Sequence, residues 1–310
     1  MTAMRLLRVN VFPGGFNWPL FAARDLGFFT REGIEIALQE TTGSMAQMTD
    51  FAKGNFDIAM TGFDNIAAYV EGQGEAPIGA QPEFFAFLGS DNSFLSLAAR
   101  PDIPSEDSLR GRTVSVDAAT TGYAFVLYDL LARTGLEHGD YSIVKAGGMA
   151  QRFDALCRGE HSATMLSMPY DLMAEKAGLK ILARVEFPYQ GNVAAARRTW
   201  ARANESSVIA YIRAYVSALH WLRDPANRER ACDILLRNVP AMTPEMASAS
   251  YRAMLGAGGG FSIDGSLDGD GVKKVLRLRS RYAAPKRILD DQEKYADLQY
   301  WKNAFRNPNA

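Results

Sequence analysis

The sequence predicts an α/β protein of two lobes, each a mixed, mainly parallel sheet flanked by helices. Three observations carry this. Strand-like and helix-like segments alternate in two successive series, over 6–72 and 112–185. Two largely extended stretches, 84–100 and 183–197, connect the series. The remainder, from 200 to 305, is mostly helical. Alternation of this kind requires crossover connections, and so a sheet of parallel strands with helices on both faces.

In the first series, "LLRVNVF" is an apolar, β-branched run ending at Pro13-Gly14-Gly15, a strand running into a turn. "WPLFAARDLGFFTREG" has helical character, with Gly27 and Gly33 where a helix and its following turn end. "IEIALQE" alternates with strand period, and "TTGSMAQMTDFAKGN" starts a helix in which Ser44 and Gln47 have capping-box spacing. Met45, Met48, Phe51 and Ala52 form its apolar stripe. "FDIAM" is the third strand and "NIAAYVEG" the next helix. The second series repeats the order from "RTVSVD" to "LKILARV", in architecture and not in residues. In the helical remainder Val208, Tyr211, Ile212, Tyr215, Leu219 and Leu222 mark one apolar face.

Composition excludes more than it assigns. The chain has 310 residues, enough for about two domains. Its net charge of -1 gives no electrostatic case for nucleic acid or an anionic membrane surface. No stretch approaches ~20 uninterrupted apolar residues, so no membrane insertion is expected. Cys157 and Cys232 match neither a CxxC pair nor a disulfide framework, and the three histidines form no metal-binding pattern. No metal or cofactor is therefore expected. The fingerprints GxGxxG, GxxxxGK(S/T) and GxSxG are missing. "IDGSLDGDGVKK" fits the early positions of a calcium loop at Asp264, Ser266, Asp268 and Gly269, but Val275 stands where the bidentate Glu is required. It reads as a turn leading into the helix "GVKKVLRLRSRY".

An ordered series of segments carries a family resemblance. "AARDLGFFTREGIEIAL", "GSMAQMTDFAKGNFDIAMTG", "DSLRGRTVSVD", "LLARTGLEHGDYSIV", "ALCRGEHSATMLSMPYD" and "DPANRERACDIL" resemble the solute-binding proteins of ABC importers, in the nitrate, sulfonate and thiamine-precursor (NMT1/THI5-like) group. The resemblance runs from about residue 5 to about residue 305. It implies a type 2 periplasmic-binding-protein fold: a discontinuous first lobe, 1–93 and 194–310, a second lobe, 94–193, and crossovers near 91–99 and 186–196. It further implies a monomer that closes on a small-molecule solute and hands it to an ABC permease. The location implied is periplasmic or lipid-anchored if a leader was removed from the chain, and cytoplasmic if the chain is complete. The cysteine-rich segment expected of the related fungal pyrimidine synthases is not found.

Open α/β sheets bind ligands beyond the carboxyl ends of their strands. Six strand ends share glycine or a small hydroxyl beside an aromatic or short polar residue: 13–18, 41–44, 61–65, 89–92, 117–123 and 167–171. They supply the candidate binding residues Phe16, Asn17, Trp18, Ser44, Gly62, Phe63, Asp64, Asp91, Asn92, Thr120, Thr121, Gly122, Met168 and Tyr170, with Asn192 from the second crossover. Ser44 reads as an N-cap or a ligand contact; Thr120 and Thr121 start a helix, where anions bind. The rings of Phe16, Trp18 and Phe63 suit a planar or apolar ligand. Asp64 and Asp91 cap helices, or favour a ligand with N–H donors or positive charge. A zwitterionic, aromatic or hydrogen-bonding heterocyclic solute reconciles these demands. The alternatives are a decarboxylase or desulfinase acting on an aromatic acid, and a ligand-sensing module; no catalytic residue is assigned.

Overall fold

The computed structural model describes residues 4–79, 82–240, 242–256 and 260–306. The strands are β1 (Arg5–Val11), β2 (Ile34–Glu40), β3 (Ile58–Gly62), β4 (Phe84–Gly89), β5 (Ser96–Ala99), β6 (Thr113–Val116), β7 (Ser142–Lys145), β8 (Ala163–Leu166), β9 (Lys180–Arg184) and β10 (Asn192–Arg197). They form two five-stranded sheets, ordered β2-β1-β3-β10-β4 and β7-β6-β8-β5-β9. In each sheet one strand runs against its neighbours: β10 is antiparallel to β3 and β4, and β5 to β8 and β9. These are the two strands that the crossovers deliver. The chain leaves the first sheet after Gly89 and joins the second at Ser96; it leaves the second after Arg184 and rejoins the first at Asn192.

The helices are α1 (Trp18–Asp25), α2 (Phe28–Arg31), α3 (Ser44–Lys53), α4 (Phe63–Val70), α5 (Gly122–Arg133), α6 (Met149–Cys157), α7 (Tyr170–Lys176), α8 (Arg198–Ala203), α9 (Glu205–Arg223), α10 (Arg228–Asn238), α11 (Pro244–Leu255), α12 (Gly269–Tyr282) and α13 (Gln299–Phe305). The helix ends where expected, before Gly27, whose left-handed φ of 72° separates α1 from the short α2; α2 occupies the stretch expected as a turn before Gly33. All six apolar positions read along 208–222 are buried in α9, which packs on α1, α2 and α13.

The capping box expected at Ser44 and Gln47 does not form. Gly43 is the N-cap of α3 and no side chain caps it. Gln47 is buried instead, donating through Nε2 to Asn10 Oδ1 at 2.9 Å and to the Met60 carbonyl at 3.1 Å. That amide pins α3 to β1 and β3, a tertiary demand that outweighs the local one. The expected stripe holds at Met48 and Phe51, but Met45 is exposed.

Two large apolar clusters organise the molecule. One unites α1, α9 and α10 with β1 and β4 of the first sheet. The other crosses between the sheets, joining Phe63, Ile66 and Phe84 to Leu97, Val114 and Phe125, with Val272, Val275 and Leu276 of α12 completing it. On that side the two lobes share one core.

Candidate functional site

Between the sheets lies a cavity of about 330 Å³. The first lobe contributes Phe12, Pro13, Phe16, the run Glu40–Ser44, Gly62, Asp64 and Asn65. The second contributes Asp117, Thr121, Gly122, Tyr123 and the run Gly148–Arg152; Tyr189 and Asn192 come from the returning crossover. The wall is thus aromatic and apolar, with a few polar groups aimed inward, the usual composition of a small-molecule pocket.

Three helix starts converge on it without side-chain caps. The N-caps of α3, α5 and α6 are Gly43, Thr121 and Gly148, and none accepts a backbone N–H through its side chain. Such ends leave N–H groups and the positive pole of the helix dipole facing the cavity. Arg152, in the second turn of α6, adds a buried guanidinium, 2% exposed. It donates from Nη1 to the Gly147 carbonyl at 3.1 Å and from Nη2 to the Met165 carbonyl at 3.2 Å, and lies 3.6 Å from Asp117; its Nε has no partner among the described residues. Burial lowers its pKa from the ordinary arginine value, and Asp117 opposes that pull.

The acidic groups divide by partner. Asp64 is 5% exposed and receives Arg279 Nη1 on both oxygens at 2.7 Å; the Gly122 N–H of α5 donates to it as well. Burial raises the Asp64 pKa, and these partners pull against it. Asp64 therefore closes a buried ion pair within the first lobe and meets the second only through Gly122; it is neither an N-cap nor a free carboxylate for a cationic ligand. Asp117 accepts from Thr121 Oγ1 at 2.8 Å, and Glu40 is exposed at the rim.

Of the fifteen candidates, Phe16, Ser44, Gly62, Asp64, Thr121, Gly122 and Asn192 come together at the cavity. The other eight stand elsewhere, for identifiable reasons. Asn17 Nδ2 donates to the Phe12 carbonyl, and Trp18 is buried with Nε1 on the Ala231 carbonyl at 3.0 Å. Phe63 packs edge-on against Tyr295 in the shared core. Asp91 is buried behind Asn192, and Asn92 accepts the Phe94 N–H within its own turn. Thr120 Oγ1 donates to Glu75 across the lobes at 2.9 Å. Met168 is buried against the first core, and Tyr170 packs on Phe153. The sequence reading missed Gly148–Arg152, although "VKAGGMA" has the same strand-end glycines as the six segments compared. It also missed Tyr189, for which no local signal exists.

Two parallel-based sheets of one strand order, joined by two crossovers around a polar-tipped cavity, define the fold of the periplasmic binding proteins. By sequence the chain belongs to the NMT1-like family, whose model matches residues 5–236. YtlA of Bacillus subtilis (strain 168), a binding protein by name, is 25% identical over 224 residues, which make up 69% of this chain and 65% of that one. The match thus spans a little under two thirds of that relative. Among solved structures, the periplasmic nitrate-binding protein NrtA from Synechocystis PCC 6803 superposes with a TM-score of 0.80 at 14% identity, covering 97% of this chain and 88% of its own. The periplasmic aliphatic sulphonate binding protein SsuA from Escherichia coli gives 0.71 at 14% identity, covering 97% and 99%. Among the described residues no helix is long and apolar enough to cross a membrane, and no cluster of three or more His, Cys, Asp or Glu is placed to hold a metal.

Proposed function

We propose that the protein is the solute-binding component of an ABC-type importer, capturing a small zwitterionic, aromatic or heterocyclic solute between its lobes. The observation that carries this is the cavity itself: uncapped helix starts and Arg152, partly balanced by Asp117, form a positive pole, while Glu40 and the side-chain oxygens of Asn65 and Asn192 form an accepting one. An acid group suits the first pole and N–H donors suit the second, with Phe12, Phe16, Tyr123 and Tyr189 flanking the body between. The names of NrtA and SsuA, both periplasmic, supply the analogy for an extracytoplasmic location, and the importer reading itself implies an ABC permease as partner.

Hinge closure is the mechanism this reading implies. The lobes, 1–93 with 194–310 and 94–193, are the moving bodies, and a ligand favours closure because only then do both touch it. A monomer is the state this reading implies. Catalysis by cysteine finds no support here: neither Cys157 nor Cys232 lines the cavity, and burial raises both thiol pKa values.

The test is a thermal-shift screen of aromatic carboxylates, sulfonates, amidines and pyrimidines, followed by mass spectrometry of the bound species. A compound that raises the Tm by several degrees and is recovered unchanged supports the reading. Recovery of a species lighter by carbon dioxide or sulfite overturns it in favour of an enzyme.

A further inference from the structure

We propose that Asp91 and Asn192 set the hydrogen-bonding sense of the cleft: Asp91 is a positioning residue that holds the Asn192 side-chain oxygen toward the cavity, so the site selects solutes presenting an N–H or O–H donor there. This rests on the solute-binding reading above and adds to it a rule of discrimination.

The geometry is a locked amide. Asp91 is 4% exposed and lies outside the cavity wall, on the first crossover. Its Oδ1 accepts the Ser93 N–H at 2.7 Å, the Asn192 N–H at 3.1 Å and Asn192 Nδ2 at 3.2 Å. Its Oδ2 accepts Asn192 Nδ2 at 3.0 Å and Ser90 Oγ at 3.1 Å. An ionised carboxylate only accepts, so the face of Asn192 turned to it must be the NH₂ face. The side-chain oxygen is thereby left on the cavity side, where Asn192 forms part of the wall, and no donor among the described residues reaches it. Burial raises the Asp91 pKa, and the converging Asn192, Ser93 and Ser90 donors pull against it in favour of the charged form.

Asn65 shows why the lock matters. Its Nδ2 bonds Thr61 Oγ1 at 2.9 Å, and a hydroxyl serves as donor or acceptor, so that amide can turn to suit a ligand. Asn192 cannot turn without facing oxygen to carboxylate. A solute that offers only an acceptor at this point leaves two buried oxygens opposed, the kind of mismatch by which polar sites reject near-isosteres.

The experiment compares 4-amino-, 4-methoxy- and 4-nitrobenzoate, and their 3-substituted counterparts, by calorimetry on the wild-type protein and on Asp91→Asn. Asparagine at 91 keeps the shape but offers an N–H to the Asn192 oxygen, which turns the amide so that its NH₂ faces the cavity. The wild type is expected to prefer an amino compound at least tenfold over its methoxy and nitro partners, and Asp91→Asn to abolish or reverse that ratio. An unchanged ratio in Asp91→Asn, or no preference in the wild type, overturns the proposal; binding of all the acids alike leaves the solute-binding reading intact while this one fails. If neither these acids nor any compound of the wider screen binds, both fall. Should Asp91→Asn fail to fold, Asn192→Ala decides: the proposal requires it to lose affinity for the amino compounds at least tenfold while sparing the methoxy ones, and an equal loss for both overturns it.

Discussion

At the scale of single residues, the informative groups are those whose partners differ from what their local sequence suggests. Arg152 follows two glycines in an ordinary helix start, and only the fold makes it the buried cation of the cavity. Replacing it with Met is expected to weaken binding of an acidic solute about tenfold to a hundredfold, the scale of a charge-assisted hydrogen bond, in a calorimetric titration. Asp64 was legible as important but not in its role, because Arg279 lies 215 positions away in sequence and nothing local announces the pair. Asp64→Ala leaves the guanidinium of Arg279, itself 0% exposed, buried without its partner. A loss of about 3–5 kcal/mol in a denaturant melt is expected. Replacing both partners by Leu and Met should recover much of it; a double variant as unstable as the single one would refute the ion-pair account.

At the scale of elements, α5 meets α4 so closely that Gly122 tolerates no side chain. A Cβ there would stand 2.6 Å from the Asp64 Cβ and 2.6 Å from the Tyr189 hydroxyl. Gly122→Ala is therefore expected to cost about 1–3 kcal/mol of stability, as overpacked sites do, and to enlarge the molecule in small-angle scattering by prising the lobes apart. Glu75 makes the neighbouring contact, taking Thr120 Oγ1 and Lys145 Nζ from the second lobe at 2.9 Å each. Burial works against its charge, but the Lys145 ammonium and Thr120 hydroxyl outweigh it and hold its pKa below the ordinary glutamate value. A carboxyl lowered on folding stabilises above its unfolded pKa and loses that contribution as pH falls through the folded one. Glu75→Gln should thus lower the stability at neutral pH by about 0.5 kcal/mol for so exposed a lysine partner, and not at all once the pH has fallen through the folded-state pKa of Glu75. A melting difference that persists in acid would show that the pair contributes nothing through charge.

At the scale of the whole molecule, the fold was legible because the alternation of apolar runs and glycine-ended turns is a property of neighbours in sequence. Both sheets, the extended crossover stretches and the buried face of α9 follow from it, while the antiparallel pairing of those stretches does not. About half of the candidate site followed as well, since strand ends are local features. The remainder depended on which strand ends point inward. Those at 89–92 and 167–171 are turned to packing by Asp91 and Met168, while α12, remote in sequence, packs on both α4 and α5 and seals one side of the cavity with the shared core. The Asp91 cluster also joins the two crossovers to each other: Gly191 N–H donates to the Asp91 carbonyl at 2.8 Å and Gln190 Nε2 at 3.2 Å, beside the Asn192 bonds to its carboxylate. Two tethers riveted side by side behave as a single axle. On the solute-binding reading the lobes would swing about that axle rather than twist or slide past each other, and Asn192, at one end of the rivet, belongs to the wall of the chamber they would close on.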